Sequence, residues 1–194
     1  NTVKVAQRFK AKVFQRHLAG DFAAQRNFGL REVRGEWILF VDSDEVVTPG
    51  LANEIREAIK NNTGINGYWV KRLDFIFGRL LKHGETGRVR LLRLAKRDKG
   101  VWERPVHEVW QVEGKISEFK EPLLHYPHPN VAQFIEEINY YSTLNAKFLR
   151  HQEVKVSWWQ IVAYPVVKFL LDYVWYLGFL DGTAGAVVAI LMSF

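Results

Sequence analysis

The chain has 194 residues, 48% of them hydrophobic and 25% charged, the composition of a folded domain rather than of a disordered chain. It contains no cysteine, which excludes a disulfide scaffold, a Cys-based zinc site and a thiol nucleophile. Lys and Arg outnumber Asp and Glu 27 to 21, a net charge of +6, which suits an anionic partner without demanding one.

In chain order, Thr2–Phe9 reads as a short helix and Ala11–Gln15 as a short strand. Phe22–Arg34 reads as a helix ending at Gly35, a natural C-cap. Trp37–Val41 (WILFV) is an unbroken apolar run, the pattern of a strand buried on both faces. Thr48 is the N-cap candidate of a helix opened by Pro49-Gly50 and running over Leu51–Lys60. This alternation predicts an α/β layer with a parallel sheet. Residues 66–120 are rich in β-branched and aromatic residues punctuated by glycines, and extend the sheet. Lys71–Arg104 carries eleven Lys and Arg against four Asp and Glu, either a solvated face or a surface for phosphate-bearing partners. Val131, Phe134, Ile135, Ile138, Tyr141, Asn145, Phe148 and Leu149 fall at helical spacing. From Trp158 to Leu180, 18 of 23 residues are apolar or aromatic. The chain opens on Asn1 without an initiator Met or signal-peptide pattern and ends inside an apolar run, so both ends are expected to be cuts in a longer protein.

The sharpest local feature is Asp42-Ser43-Asp44-Glu45 directly after the apolar strand. In open α/β sheets ligands bind outside the carboxyl ends of strands. On an extended segment, side chains two apart point the same way, so Asp42 and Asp44 can converge on one cation. Carboxylate oxygens suit Mg²⁺ or Mn²⁺, which commonly bind through one or two carboxylates plus substrate phosphates. The bland alternative is the acidic first turn of the next helix, but Pro49-Gly50 sets that helix start several residues later.

Ala19–Leu51, with its Gln-Arg-Asn helix, its glycine before an aromatic strand and its D-x-D-E string, closely resembles the core of family 2 glycosyltransferases of the GT-A fold. Glu103-Arg-Pro-Val-His-Glu108, Leu124-His-Tyr126 and Gly178-Phe-Leu-Asp-Gly182 resemble later blocks of the bacterial members that build lipopolysaccharide core or other lipid-linked glycans. The resemblance implies a GT-A domain over residues 1–127 and a helical tail over 128–194. It also implies that a first strand and a nucleotide-binding loop precede residue 1, with Asn1-Thr2-Val3 as the end of that loop. The activity it implies is inverting transfer of a sugar from a nucleotide-sugar to a hydroxyl of a lipid-linked glycan.

By the same resemblance, Asp42 and Asp44 hold Mg²⁺ or Mn²⁺ at the diphosphate, with His125 completing that site. Glu45 stands behind them or is structural. Gln25, Arg26 and Asn27 line the nucleotide pocket, although Arg26 also suits the surface and Asn27 helix packing. The base is expected to be a carboxylate or His on a donor-facing loop. Glu108 is the choice, with His107 beside it and Glu103 as runner-up; Pro105 favours a loop there. Arg104 can pair with either acid or with phosphate.

The tail has the length of a membrane span, but Lys168 and Asp172 sit within it, at i,i+4 spacing for a mutual pair. Its Trp and Tyr residues favour the membrane interface. A helix lying in that interface is preferred over a subdomain packed on the catalytic domain or a true span. The expected location is the cytoplasmic face of the bacterial inner membrane. The competing function is a catalytically inactive, membrane-associated glycan- or lipid-binding adaptor. Nucleic-acid binding is not expected, since few stacking aromatics lie among the basic residues.

Overall fold

The computed structural model describes residues 2–61 and 64–194; Asn1, assigned above to the end of a nucleotide loop, lies outside the described residues. The elements in order are α1 (Thr2–Arg8), α2 (Phe22–Glu32), β1 (Trp37–Leu39), β2 (Glu45–Val47), α3 (Pro49–Lys60), β3 (Ile65–Ile76), β4 (Arg79–Leu81), β5 (Arg90–Lys96), β6 (Gly100–Glu103), β7 (Val109–Val112), β8 (Lys115–Glu118), β9 (Leu123–His125), α4 (Val131–His151), α5 (Trp158–Phe169) and α6 (Gly182–Leu191). Local chemistry accounts for the helix starts. Thr48 Oγ1 accepts from the Leu51 N–H, Asp21 caps α2 through the Ala24 N–H and Asn130 caps α4 through the Gln133 N–H.

The main sheet has seven strands around the long β3, in the path β1-β5-β3-β9-β2, with β4 and β8 also paired to β3. It is mixed, not parallel as the alternation predicts. β5 is antiparallel to both β1 and β3, β2 is antiparallel to β9, and β8 and β9 run parallel to β3. A helix between two strands fixes neither strand's partner, and here hairpin-like returns intervene. Ala11–Gln15 is irregular rather than a strand. β1 pairs on one side only among the described residues, and of its residues only Ile38 is buried.

Both faces of the sheet are covered. On one, α2 and the β6–β7 hairpin enclose Ala23, Leu30, Ile38, Leu92, Trp102 and Trp110. On the other, Leu51 and Ile55 of α3 pack on Tyr68, Val70, Leu94 and Leu123, with Tyr68 stacked on Phe119 at 4.5 Å. A third cluster joins Ile76 and Leu81 to Phe134 of α4 and to Ala184 and Val188 of α6.

The C-terminal segment is attached to the sheet by polar contacts. Asp181 accepts from the backbone N–H groups of Lys82 and His83 and meets the His83 ring at 2.9 Å. Asp172 accepts from the Glu85 N–H, and the Gly84 N–H donates to the Tyr176 carbonyl. Lys168 pairs with Glu85, not with Asp172 as its spacing suggests. A Cβ on Gly185 would lie 2.1 Å from the Gly178 carbonyl oxygen, so only glycine permits this approach of α6. The helical path bends by 70° between Trp158–Trp175 and Gly178–Leu191, and no single helix among the described residues is long and apolar enough to cross a membrane. Its outer surface is apolar: Trp158, Ile161, Val162, Tyr164, Val166 and Trp175 are exposed.

Candidate functional site

β1, β3 and β9 run in one direction, so their carboxyl ends share one edge of the sheet, where β2 begins. After β1 the chain enters a turn over Asp42–Glu45, closed by the Glu45 N–H donating to the Asp42 carbonyl at 3.0 Å. This corrects the extended geometry read from the sequence. In a turn, Asp42 and Asp44 take different directions and acquire different partners.

Asp42 faces two guanidinium groups, Arg93 at 2.6 Å and Arg26 at 3.0 Å. Glu45, with a fully buried side chain, pairs with Arg93 through one oxygen and accepts the Asp42 N–H at 2.8 Å through the other. It therefore holds the turn from beneath. Burial raises the Asp42 pKa, but Arg93 and Arg26 together hold it below the ordinary carboxylate value. Arg93 lies between Leu92 and Leu94 in β5 and is 5% exposed. In the sequence it is one of many basic residues, and nothing local marks it.

Asp44 faces His125 at 3.3 Å, while the other ring nitrogen of His125 lies 2.8 Å from Asp74. Asp74 in turn takes two hydrogen bonds from Arg72, at 2.7 and 3.0 Å. The hydrogen bond from His125 is the main cause of a lowered Asp44 pKa. For His125 itself, desolvation pulls the pKa down, yet Asp44 and Asp74 together raise it above the ordinary value. Asp74 is absent from the residues the sequence motifs mark, although a lone acid between Leu73 and Phe75 at an inward-facing strand position is a usable signal.

Arg26 joins this edge to the β6–β7 loop. Its Nη2 reaches Asp42 and its Nε reaches Glu108 at 2.8 Å, while its guanidinium lies over the Trp102 ring at 4.8 Å. Burial works against its charge, but Asp42 and Glu108 raise its pKa above the ordinary value. The loop that carries Glu108 is held in an uncommon shape. Arg104 and His107 both adopt left-handed φ, 68° and 53°, on either side of the buried Val106, a costly arrangement that persists where neighbouring contacts impose it.

The remaining candidates separate. Glu103 and His107 are exposed and make no side-chain ion pair among the described residues. Asn27 is engaged at both polar atoms by the Trp102 backbone, at 2.8 and 2.9 Å, and clamps α2 to β6. Gln25 accepts from Arg16. Arg104 lies over the Phe148 ring at 6.0 Å rather than beside an acid. The basic excess of residues 71–104 is partly internal, since Arg72, Arg90 and Arg93 are all paired with acids.

Asp44 and His125 stand together as a carboxylate and an imidazole, donors that Mg²⁺ or Mn²⁺ accept, while Asp42 would have to turn from Arg26 and Arg93 to join them. Among the described residues no group of three or more His, Cys, Asp or Glu side chains is placed to hold a metal ion, so a cation at this edge would need further ligands from a bound molecule. The carboxylates are open to such a ligand, 37% and 41% exposed for Asp42 and Asp44.

The lipopolysaccharide core biosynthesis glycosyltransferase LpsC of Rhizobium meliloti is 27% identical over 182 residues, covering 89% of this chain and 67% of that protein. An uncharacterized glycosyltransferase of Rickettsia typhi is 24% identical over 210 residues, covering 100% of this chain and 70% of its own length. Another from Rickettsia conorii is 24% identical over 219 residues, covering 100% and 73%. The sequence profile described as Glycosyl transferase family 2 matches residues 1–104, which take in Arg26, the Asp42–Glu45 turn, Asp74 and Arg93, and on this match the chain belongs to that family.

Proposed function

We propose that the chain is an inverting glycosyltransferase that moves a sugar from a nucleotide-sugar to a hydroxyl of a lipid-linked glycan, with lipopolysaccharide core as the acceptor class. The observation that carries this reading is the Arg26 bridge. A single guanidinium contacts both Asp42, at the diphosphate end, and Glu108, the candidate base. The acceptor class is that of the Rhizobium relative, a lipopolysaccharide core biosynthesis glycosyltransferase.

In this reading Glu108 accepts the proton of the acceptor hydroxyl. The hydroxyl oxygen attacks the anomeric carbon, the bond from that carbon to the diphosphate oxygen breaks, and the diphosphate leaves with the electron pair. Arg26, in contact with both carboxylates, reaches both ends of this displacement and offsets charge on the leaving group. Asp44, Asp42 and His125 would hold the divalent cation, which when bound supplies Lewis-acid stabilisation of the diphosphate. Asn27 clamps α2 to β6, and Gln25, held by Arg16, stands on the helix that lines the nucleotide pocket in this reading. Residues 1–127 form the catalytic domain in this division, and 128–194 rest on the cytoplasmic face of the membrane through the exposed aromatic surface.

The test is transfer of labelled sugar, from a panel of nucleotide-sugars with Mn²⁺ or Mg²⁺, to a bacterial lipid-linked glycan extract. Transfer that depends on Glu108 supports the proposal. Tight binding of glycan or lipid without turnover on any donor favours the inactive adaptor instead.

A further inference from the structure

Three neighbouring strands bring Asp74, His125 and Asp44 into a line. β3 and β9 run parallel with Asp74 opposite His125, and β9 pairs with β2 with His125 opposite Glu45, one residue beyond Asp44. Asp74 is 1% exposed. A carboxylate so buried needs compensation, and Arg72 and the His125 Nδ1 supply it. The two contacts of the imidazole are unequal. Nδ1 meets the buried Asp74 at 2.8 Å, and Nε2 meets the more open Asp44 at 3.3 Å. In a neutral ring only one nitrogen carries the proton, and the shorter, less solvated contact claims it.

We propose that Asp74 is a positioning residue. By accepting the Nδ1 proton of His125 it fixes the ring orientation and, once the ring is neutral, its tautomer, which frees the Nε2 lone pair for a cation received beside Asp44. The inference rests on the reading of Asp44 and His125 as the diphosphate end of the site. Arg72 is part of the device, since its two hydrogen bonds hold both Asp74 oxygens and fix the carboxylate plane. Groups of this kind behind a ligating histidine change metal affinity or activity by about 10–100-fold when removed.

In Asp74→Asn the amide can turn its NH₂ toward Nδ1, and the charge of Asp44 then draws the ring proton to Nε2. The experiment uses the whole chain labelled with ¹⁵N-histidine, with two-bond ¹H–¹⁵N correlation at a pH where the ring is neutral. Calorimetry follows with Mn²⁺ and nucleoside diphosphates (UDP and GDP), on wild type, Asp74→Asn and Asp44→Asn. The expected result is a proton on Nδ1 in the wild type, its transfer to Nε2 in Asp74→Asn, and about tenfold weaker Mn²⁺-diphosphate binding in that variant. A wild-type ring protonated on Nε2 overturns the proposal, and this measurement stands even if Asp74→Asn fails to fold. Binding by Asp74→Asn within twofold of wild type, while Asp44→Asn is weakened, also overturns it. If Asp44→Asn binds as well as wild type, the reading of the diphosphate end fails, and the ring-proton result alone decides the role of Asp74.

Discussion

The sheet edge and the C-terminal helices present opposite arrangements of the same chain. At the edge, Glu45, Arg93, Asp42, Arg26 and Glu108 form a continuous run of ion pairs, each charge answered by the next. In the tail, the polar groups Asp172, Asp181 and Lys168 all turn inward to grip residues 82–85, while Trp158, Trp159 and Trp175 stand in solvent. One region satisfies its charges internally and opens two carboxylates to a ligand. The other satisfies its polar groups internally and opens apolar surface. Large exposed apolar patches mark interaction sites, so under the proposed function the two regions serve different partners, a nucleotide-sugar and an apolar surface.

The largest effect is expected where the edge is least able to adjust. Glu45→Gln removes a buried charge and leaves Arg93 facing Asp42 alone. Breaking one partner of a buried pair costs about 3–5 kcal/mol, and chemical denaturation should show a loss of that size. A loss below about 1 kcal/mol would mean that water reaches Arg93 and that the edge is no more enclosed than the tail surface. The next effect is chemical. Glu108→Gln should lower turnover by at least about 10²-fold, the scale of a positioned base, with donor affinity retained. Glu103→Gln should turn over at close to the wild-type rate, because Glu103 is exposed and has no charged partner among the described residues. The reverse pattern would move the base to Glu103.

Much of this edge was legible in the sequence because it depends on local signals. The D-x-D-E string, the Thr48 cap and the Pro105 loop each declare themselves within a few residues. The turn at Asp42–Glu45 reads as extended from sequence alone, since a turn of Asp and Ser resembles the end of a strand and its closing hydrogen bond has no sequence signature. Arg93 and Asp74 were missed for a different reason. Asp42 lies 51 residues from Arg93 and His125 lies 51 residues from Asp74, and only strand order and register bring these pairs together. The mixed sheet was illegible on the same grounds. A charged residue flanked by leucines in Arg90-Leu-Leu-Arg-Leu, and a single acid in Arg72-Leu-Asp-Phe, were the available hints. In the tail, the grip of Asp181 on Lys82 and His83 spans 98 residues and more, and no local pattern reveals it.

A smaller effect separates packing from surface in the tail. Trp158→Ser with Trp175→Ser removes two of its most exposed aromatics, 79% and 75% exposed, and touches none of the inward polar contacts. Vesicle flotation should weaken at least about tenfold, since full burial of a large apolar side chain is worth roughly 1.5–3 kcal/mol. Stability should change by less than about 0.5 kcal/mol, as for other surface positions. A strong loss of stability with unchanged flotation would show that these aromatics serve packing instead.

The smallest expected effect is a pH dependence confined to the edge. The groups facing His125 are Asp44, Asp74, Arg72, His128 and Glu137. Desolvation and Arg72 oppose the protonated ring, but Asp44 and Asp74 prevail and its folded pKa lies above the ordinary 6.5. The folded chain therefore holds this proton more tightly than the unfolded chain. The stabilisation is complete below about 6.5 and is lost as pH rises through the folded value. His128 has the opposite shift, lowered chiefly by desolvation, so its contribution falls in a separate window below 6.5 and increases stability as pH rises. Asp42 stays below the ordinary carboxylate value through Arg93 and Arg26, and its stabilisation is lost only in acid, as pH falls through its folded value. Denaturation midpoints of the wild type, without divalent cation, should thus decline on the alkaline side of 6.5. His125→Gln should remove that decline and keep the acid limb supplied by Asp42. An alkaline decline of equal slope in wild type and His125→Gln would assign the titration to another group, and would mean that the Asp44 and Asp74 contacts leave the ring with an ordinary affinity for its proton.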